Sequence, residues 1–323
     1  MKTESTSQQL PDTTSEMVAL YILSRDRPVL LAESIESALS QTSNNYKIII
    51  SDNSSSEEVA ELISMRYPEI TLVRRKPQLR PIEHIAIIIR ETQQPLTVMF
   101  HDDDVLEPTF IENQTEIMKN NPSLCAVACN ATIIKEDRHT EQRFFKHRTR
   151  KVISQIGEIA SIYLKSDYMN PAPFSSYLYR SETLRRVNIW ENQGGKHADV
   201  SLITNIVATG PIAWNPEPLI KYRIHAWNGS NTESIGDRKQ LLRYLCAKMA
   251  ITEKSTLALH YRFAYLAKSV RSRKGILRSM WKMKVLMPFF LKSGTVLLLT
   301  SNTFRRKVFE STLKLATCFK YRV

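Results

Sequence analysis

Glycine is scarce in this chain, and residues 1–156 contain none. The 323 residues include eight glycines, and the first of them is Gly157. A GxGxxG dinucleotide-binding turn or a GxxxxGK[ST] phosphate loop needs glycine where backbone amides approach phosphates closely. Rossmann dehydrogenases and P-loop nucleoside triphosphatases, whose phosphate-binding turn lies near the start of the fold, are therefore excluded for residues 1–156.

Cysteine is also sparse, and a secretion signal is lacking. The cysteines have irregular spacing that fits neither a disulfide framework nor a zinc knuckle, which predicts a reducing compartment. They are Cys125, Cys129, Cys246 and Cys318. Residues 1–16 are rich in serine, threonine and glutamine and contain no apolar stretch. We therefore expect a flexible leader at 1–16 rather than a signal peptide.

Acidic residues are nearly absent from the C-terminal end. Residues 271–323 hold 13 lysines and arginines against one acid, Glu310, whereas the preceding 270 residues carry a net charge of only +1. The apolar stretch at 286–300 contains Pro288 and Lys292 and is shorter than the about 20 residues that cross a bilayer. A cationic region with interleaved apolar side chains is typical of attachment to an anionic membrane surface. The alternative is a helical cap with a solvated basic face.

The remaining composition is that of a globular protein, with 42% apolar and 24% charged residues. Short apolar runs alternate with amphipathic segments. They predict strands at 17–24, 47–51, 70–74, 96–101 and 125–134, and helices at 28–41, 57–65, 82–92 and 108–120. Past Gly157 the pattern predicts a strand at 174–180, a helix at 198–208, extended pieces at 212–215 and 219–224, and helices after 237. This alternation indicates an α/β fold with a mostly parallel sheet and helices on both faces.

Two regions follow from this pattern. We expect a catalytic or binding domain at 17–235, with a nucleotide-binding half at about 17–134 and an acceptor half at about 157–235. The remainder, 236–323, is predicted to be a helical basic region.

Polar side chains follow three predicted strands at their carboxyl ends. Ser24 and Asp26 lie at the end of the first strand, and Asp52 follows the second. After the fourth strand, His101 is followed directly by three aspartates. Ligands of such sheets bind at the carboxyl ends of the strands. The sequence therefore predicts one site built from these turns.

The acidic run consists of Asp102, Asp103 and Asp104. Three adjacent carboxylates repel one another unless a cation offsets their charge. A hard divalent ion such as Mg²⁺ or Mn²⁺, shared with substrate phosphates, is a natural partner. The alternative is a solvated turn whose last aspartate caps the following helix.

Three further polar residues have both a functional and a structural interpretation. The Asp52 carboxylate could accept from a nucleobase N–H, or it could form an Asx turn. Asp199, at the start of the helix at 198–208, could be a general base, or its charge could simply stabilise the helix N-terminus. His225 could ligate a metal through a neutral imidazole, or it could be a structural residue.

The order of these segments resembles family-2 glycosyltransferases of the GT-A fold, from about Ala19 to Ser230. The matching segments are Leu23–Pro28 with the following helix, Ile50–Ser55, Arg80–Arg90, Phe100–Pro108, Ala198–Asp199, Pro216–Leu219, Tyr222–His225 and Asn228–Ser230. The Phe100–Pro108 segment looks like the DxD motif of that family.

The resemblance implies a role for each of these positions. Asp104 and His225 would hold the divalent metal, and Asp199 would be the base that deprotonates the acceptor. The donor nucleotide sugar would be bound by Ser24, Asp26, Asp52, Arg80, Asp102 and Asp103.

The chain also departs from the family pattern. His101 stands where the first aspartate of a DxD motif often falls, so the motif could be Asp102-x-Asp104 or could be centred on Asp103. Ala198 replaces the glutamate of the usual Glu-Asp pair. The segment from Gln240 to Tyr244 resembles the QxxRW motif of processive synthases only faintly, because it ends in tyrosine and lacks flanking membrane spans.

The resemblance leads to one functional expectation. A metal-dependent, inverting glycosyltransferase would move a sugar from a nucleotide-diphosphate sugar, with a UDP-sugar favoured, to a hydroxyl of a glycan or lipid-linked acceptor in bacterial surface polysaccharide synthesis. We expect it in the cytoplasm, attached to the inner face of the membrane through the basic region, with no nucleic-acid partner.

The alternative is a catalytically inactive GT-A protein that acts as an adaptor. A nucleotidyltransferase is disfavoured, because its usual glycine-rich N-terminal loop is missing.

Overall fold

A computed structural model describes residues 18–135, 138–146, 148–165, 171–224 and 234–262. The strands are β1 Val18–Ser24, β2 Tyr46–Asp52, β3 Thr71–Arg74, β4 Leu96–His101, β5 Val105–Leu106, β6 Ala126–Lys135, β7 Arg138–Arg143, β8 Lys151–Ile153, β9 Tyr177–Arg180 and β10 Ile212–Ile224. The helices are α1 Pro28–Leu39, α2 Glu58–Arg66, α3 Pro81–Glu91, α4 Phe110–Asn120, α5 Ile156–Lys165, α6 Ser181–Arg186, α7 Ala198–Val207 and α8 Ile235–Lys248.

The strands form one sheet in the order β3-β2-β1-β4-β9-β6-β10-β5, with β7 paired to β6 and β8 paired to β10. Pairing is parallel across β3-β2-β1-β4 and again between β6 and β10. Strand β9 joins these two parts by running antiparallel to both β4 and β6. The α/β fold with a central sheet flanked by helices is confirmed.

Both faces of the sheet are apolar, because successive side chains of a strand point to opposite faces. In β1, Leu20 and Ile22 pack with α1, α2 and α4, whereas Ala19 and Tyr21 pack on the face that carries α3, α5 and α7. This two-sided burial explains why the strands read as continuous apolar runs rather than as an alternation of polar and apolar residues.

Several elements differ from the sequence-based expectation. The two extended pieces at 212–215 and 219–224 are one strand, β10, whose register with β6 shifts around Pro218. Proline lacks the backbone N–H that continuous strand pairing needs, so Pro216 and Pro218 made two separate extended pieces the expected structure. The expected strand at 174–180 begins as a 3-10 turn and becomes extended only at Tyr177.

Other elements were not expected at all. They are β5, β7, β8, α5 and α6. Strand β7 reads Arg-His-Thr-Glu-Gln-Arg and is almost entirely exposed, so it has no apolar pattern to indicate a strand.

The chain divides into two compact units. The first contains residues 1–163 and 169–251, and it includes every strand of the described residues. The second contains residues 164–168 and 252–323, and in its described part Arg262 pairs with Glu253 at 2.5 Å. The leader at 1–16 and the basic region from residue 263 onward lie outside the described residues.

Candidate active site

The ends of β1, β2 and β4 meet at one edge of the sheet. The parallel register places Ser24 beside Asp52 and Leu23 beside His101, so the loops that follow these strands start side by side. The backbones remain joined beyond the strands, because the N–H of Asp102 donates to the carbonyl oxygen of Leu23 (3.3 Å). The register therefore brings together the ends of the three strands that carry Ser24, Asp52 and His101.

Asp102 ties the loop after β4 to the loop between β1 and α1. Its buried carboxylate accepts a hydrogen bond from the N–H of Arg25 (3.0 Å) and forms an ion pair with the guanidinium of Arg27. Burial raises the pKa of Asp102 to about 6; the nearby Arg27 lowers it and Asp103 raises it. Asp102 thus links the loop after β4 to the loop between β1 and α1.

Asp104 is the other buried member of the acidic run. Its carboxylate accepts from the hydroxyl of Ser175 (2.6 Å) and from the N–H of Arg223 in β10 (2.9 Å). Burial and the charge of Asp103 raise the pKa of the Asp104 carboxyl. Strand β10 and the 3-10 turn at Phe174–Ser176 therefore position this residue from two further directions.

Three residues of this loop form a group with the chemistry of a metal site. Ligand atoms of His101, Asp103 and Asp104 all lie within 4.8 Å of one another. Two carboxylates held this close, one of them buried, are destabilised by mutual repulsion that a divalent cation would offset. Carboxylate oxygens with one imidazole suit Mn²⁺ and, less specifically, Mg²⁺. The donor set therefore fits such an ion.

His101 is oriented by an aromatic contact. Its imidazole stacks on the ring of Phe174, with ring centroids 5.6 Å apart and planes 29° apart, and its side chain remains 38% exposed. The surrounding protein displaces water from the ring and lowers the pKa of His101. A lowered pKa favours the neutral imidazole, which is the form that ligates a metal.

Asp199 lies in the first turn of α7 and faces the same region. The charge of Asp199 opposes the lowering of the His101 pKa, so the two side chains interact electrostatically. Burial raises the pKa of Asp199, and the neighbouring His197 and His101 oppose that rise. The pKa of Asp199 is thus higher than that of an exposed aspartate.

Asp26 and Asp52 have protein partners in this structure. Asp26 has a positive φ of 53°, and its carboxylate accepts from the N–H and the hydroxyl of Ser55 at 2.7 and 3.0 Å. The buried Asp52 accepts from the N–H of Ser54 (3.0 Å) and pairs with Nε of Arg74 (2.9 Å). Both carboxylates therefore stabilise the loops after β1 and β2, and their contact with a nucleoside stays a prediction.

Arg80 and His225 complete the set of residues selected from the sequence. Arg80 precedes α3, where its exposed guanidinium pairs with Glu83 (2.7 Å). The adjacent Leu79 is fixed to the loop after β2 by two hydrogen bonds with the side chain of Asn53 (2.8 and 2.9 Å). Arg80 thus borders the site at the start of α3, and His225 lies outside the described residues.

Several residues that shape the site carry little signal in the sequence. Arg27 and Ser175 contact the acidic run, and Arg223 also donates Nε–H to the carbonyl oxygen of Asp103 (2.9 Å) while pairing with Glu33 (2.6 Å). Their partners lie 71 to 190 residues away in sequence, so no local pattern identifies them. The one signal available was their position, since Arg27 and Arg223 lie within two segments that the sequence had already marked, Leu23–Pro28 and Tyr222–His225.

Comparison with known proteins agrees with this architecture. Residues 20–172 match the sequence model described as Glycosyl transferase family 2. An uncharacterized glycosyltransferase of Haemophilus influenzae is 22% identical over 244 residues, which cover 69% of this chain and 69% of that protein.

Solved structures share the fold at low identity. S. aureus TarS 1-349 is 9% identical with a TM-score of 0.61, covering 82% of this chain and 77% of its own, and a complex of it with UDP-GlcNAc has also been solved. The mannosyltransferase PcManGT from Pyrobaculum calidifontis, in complex with GDP-Man and Mn²⁺, is 12% identical with a TM-score of 0.51, covering 95% of this chain and 87% of its own.

The matched segment contains the three loops and the acidic run, and α7 with Asp199 follows it. Among the described residues, no helix is long and apolar enough to span a membrane. The sequence match and the shared architecture lead to one conclusion: residues 20–172 belong to glycosyl transferase family 2, and the protein is a glycosyltransferase with the GT-A fold.

Proposed function

We propose that this glycosyltransferase moves a sugar from a nucleotide-diphosphate sugar to an acceptor hydroxyl with inversion at the anomeric carbon, and that it depends on a divalent metal. The observation that carries the proposal is the meeting of His101, Asp103 and Asp104 at the carboxyl edge of the sheet, with ligand atoms within 4.8 Å of one another and Asp199 in electrostatic reach. Such a group would suit a metal-bound diphosphate, and a carboxylate near it would suit the proposed base.

The structural neighbours support the class of donor. TarS was solved with UDP-GlcNAc and with UDP, and the mannosyltransferase was solved with GDP-Man. A UDP-sugar is our first choice for this chain, because TarS, with the higher TM-score of the two, was solved with uridine nucleotides.

The metal would be held by Asp103, Asp104 and His101, with His225 as the further ligand expected from the sequence. When bound there, a divalent cation supplies positive charge that stabilises the diphosphate leaving group. The loops fix the ligand atoms beforehand, because Asp104 is held by Ser175 and by the backbone of Arg223.

Asp199 is the proposed general base. A carboxylate oxygen of Asp199 accepts the proton of the acceptor hydroxyl as that oxygen forms a bond to the anomeric carbon, while the bond from this carbon to the diphosphate oxygen breaks on the opposite face. The raised pKa of Asp199 makes it a stronger base than an exposed aspartate, although it stays ionised only above that pKa.

The basic C-terminal region is the basis for proposing an acceptor and a location. We propose a glycan or lipid-linked glycan of a bacterial surface polysaccharide as the acceptor, with the enzyme on the inner face of the cytoplasmic membrane. The support is the net charge of +12 carried by residues 271–323, which suits an anionic lipid surface.

The first experiment is a donor panel. UDP-, GDP- and dTDP-sugars are tested for binding and slow hydrolysis with Mn²⁺, with Mg²⁺ and with chelator. Wild type is compared with Asp104→Asn, which preserves the shape of the side chain, and with Glu182→Gln, a matched loss of one exposed carboxylate paired with Arg186.

We expect one donor to be hydrolysed only with metal, by wild type and by Glu182→Gln but not by Asp104→Asn. Donor hydrolysis that is equally fast with chelator would contradict the metal dependence. If no nucleotide binds under any condition, the acidic run is a structural turn, and the proposed transfer is wrong.

A further inference from the structure

The guanidinium of Arg27 lies across two carboxylates of the acidic run. Its Nη1 donates to Oδ2 of Asp103 at 2.6 Å, and its Nη2 pairs with Oδ1 of Asp102. The Arg27 side chain is 35% exposed, whereas that of Asp103 is 12% exposed and that of Asp102 is fully buried. A positive group that is partly accessible to solvent thus covers the acidic loop.

This position conflicts with the proposed metal site. Asp103 is one of the three residues whose ligand atoms lie within 4.8 Å of one another, and the same carboxylate is held by Arg27. A guanidinium and a divalent cation beside one carboxylate repel each other. Binding of the ion at Asp103 therefore favours departure of the Arg27 head group.

Asp102 does not depend on Arg27 alone. Its second oxygen, Oδ2, accepts from the backbone N–H of Arg25 at 3.0 Å. The link between the two loops therefore persists when the guanidinium moves. Arg27 itself precedes the first residue of α1, Pro28, so its backbone is fixed while its long side chain can change rotamer.

We propose that Arg27 is a diphosphate-binding residue that occupies Asp103 in the resting protein and moves to the donor's diphosphate when a divalent ion takes Asp103. The inference rests on the proposed function, since it assumes a nucleotide-diphosphate donor. The planar guanidinium that now bridges two carboxylates presents the same pair of N–H donors to two phosphate oxygens. This exchange makes metal and donor bind cooperatively. The metal displaces Arg27 from Asp103 and so makes it available to the diphosphate, and the diphosphate holds Arg27 away from the metal.

The inference predicts opposite effects of one substitution on two ligands. Arg27→Gln removes the competing cation from Asp103, so Mn²⁺ alone should bind about fivefold more tightly, the size of one partly exposed ion pair. The same variant loses a diphosphate contact, so the gain in Mn²⁺ affinity that UDP produces in wild type should shrink by about tenfold. A purely structural ion pair would not produce these opposite changes.

The test measures Mn²⁺ binding by electron paramagnetic resonance of the free ion, with and without saturating UDP, or GDP if the donor panel selects it. Arg27→Gln is compared with Arg27→Lys, which keeps the charge but not the planar fork, and with Arg186→Gln, a matched loss of one exposed arginine charge on α6. Thermal melting shows that each variant is folded. If Arg27→Gln does not fold, Arg27→Lys provides the test. Its Mn²⁺ affinity without nucleotide should stay near that of wild type, while the gain in Mn²⁺ affinity that UDP produces (the UDP effect) should be smaller.

Unchanged Mn²⁺ affinity and an unchanged UDP effect in the Arg27 variants, with a wild type that hydrolyses its donor, overturn this inference and leave the proposed function intact. A wild type that binds no Mn²⁺ overturns the inference together with the metal dependence. Equal changes in Arg186→Gln also overturn it, since they show an effect of net charge rather than of Arg27.

Discussion

At the scale of single residues, the site is a set of acids with different environments. Asp102 is buried and paired, Asp104 is buried and held by neutral donors, and Asp199 stands apart at the start of a helix. Environment rather than residue type separates their roles, because burial, charge and hydrogen bonds each shift a carboxyl pKa in a known direction.

The assignment of Asp199 as the base predicts a selective loss of turnover. Asp199→Asn should lower kcat for sugar transfer by about 10²–10⁴-fold and leave donor affinity nearly unchanged, because proton transfer is lost while the nucleotide contacts remain. Steady-state kinetics with the donor found in the panel give both values. Glu182→Gln, also in the first turn of a helix, is the control and should keep full activity. Full turnover by Asp199→Asn would remove the residue from the mechanism.

A buried histidine, His84, contacts strand β2 next to the site. His84 in α3 is 5% exposed, and its Nε2 is 2.7 Å from the hydroxyl of Ser51. Burial, and after it the charge of Arg75, lowers the pKa of His84 to about 4. The charge of Glu91, which pairs with Arg75 (2.7 Å), opposes this lowering, and the charge of His101 adds slightly to it. The folded state therefore keeps this imidazole neutral where an unfolded chain would protonate it.

This shift predicts how stability depends on pH. Between pH 6.5 and 4 the unfolded state binds more protons than the folded state, so the free energy of unfolding falls as pH falls, and His84 accounts for about 2 kcal/mol of that loss at pH 5. Urea unfolding at pH 7.5 and pH 5 should show a smaller loss for His84→Gln than for wild type. His139→Gln, on the exposed strand β7, should behave as wild type. An equal loss in His84→Gln and wild type would contradict the prediction.

At the scale of elements, the loop before α7 determines where Asp199 stands. Gly195 has a φ of +57°, and a Cβ built on it would come within 2.2 Å of Oδ1 of Asp237. That same carboxylate accepts from the N–H of Lys196 (3.1 Å) and caps α8 through Ser234. A glycine, one backbone hydrogen bond and a capping box thus join this loop to α8.

Gly195→Ala should therefore destabilise the protein by at least about 1 kcal/mol and lower activity, since alanine is strained at positive φ and displaces Asp237. Thermal unfolding and donor kinetics measure the two effects. Gly157→Ala is the matched control: nothing lies within 4 Å of its Cβ in α5, so it should be neutral or slightly stabilising. Equal melting temperatures for the two variants would contradict this explanation of the loop.

Whether a helix or strand could be predicted from the sequence depends on how clear its apolar pattern is. Strands β1, β2 and β4 and helices α1, α3 and α7 were predicted to within a few residues, because they bury continuous apolar runs or one face. The exposed strand β7 and the two-residue β5 bury too little to leave a pattern. Strand β10 is interrupted by prolines, so only its neighbours in the sheet show that it is continuous.

At the scale of the whole molecule, charge is distributed unevenly. The first 270 residues are almost neutral, whereas residues 271–323 carry a net charge of +12. A local excess of this size attracts an anionic surface, and the attraction weakens as salt screens it. The membrane proposal can therefore be tested through charge alone.

Replacing four cations of the basic region by glutamine should weaken binding to vesicles containing phosphatidylglycerol at least about tenfold at low salt, given about 1 kcal/mol for each charge near the surface. The four are Arg273, Lys274, Arg278 and Lys282. Co-sedimentation with these vesicles and with phosphatidylcholine vesicles measures the effect, and wild type should be released as salt rises.

The control removes the same charge from the first unit. It replaces four exposed cations, Arg66, Arg90, Lys119 and Arg186, and should bind the vesicles like wild type. If both variants lose binding equally, net charge rather than the basic region is responsible. Equal binding of wild type to phosphatidylcholine would exclude an electrostatic attachment.

The sequence by itself determined the class of fold and the edge of the sheet where polar residues gather. Apolar periodicity and the position of Ser24, Asp52 and the acidic run are local properties, and the parallel arrangement of strands turns them into a shared location. The missing glycines also excluded two nucleotide-binding classes, because a phosphate-binding turn cannot form without them.

Only the tertiary structure decided how those polar residues are used. Arg27 reaches Asp103 across 76 residues, Ser175 reaches Asp104 across 71, and Arg223 reaches Glu33 across 190. Such partners are chosen by strand order and loop packing, which bring distant segments together. The physical reason is that a hydrogen bond or an ion pair depends on distance in space, whereas a sequence pattern records only neighbours along the chain.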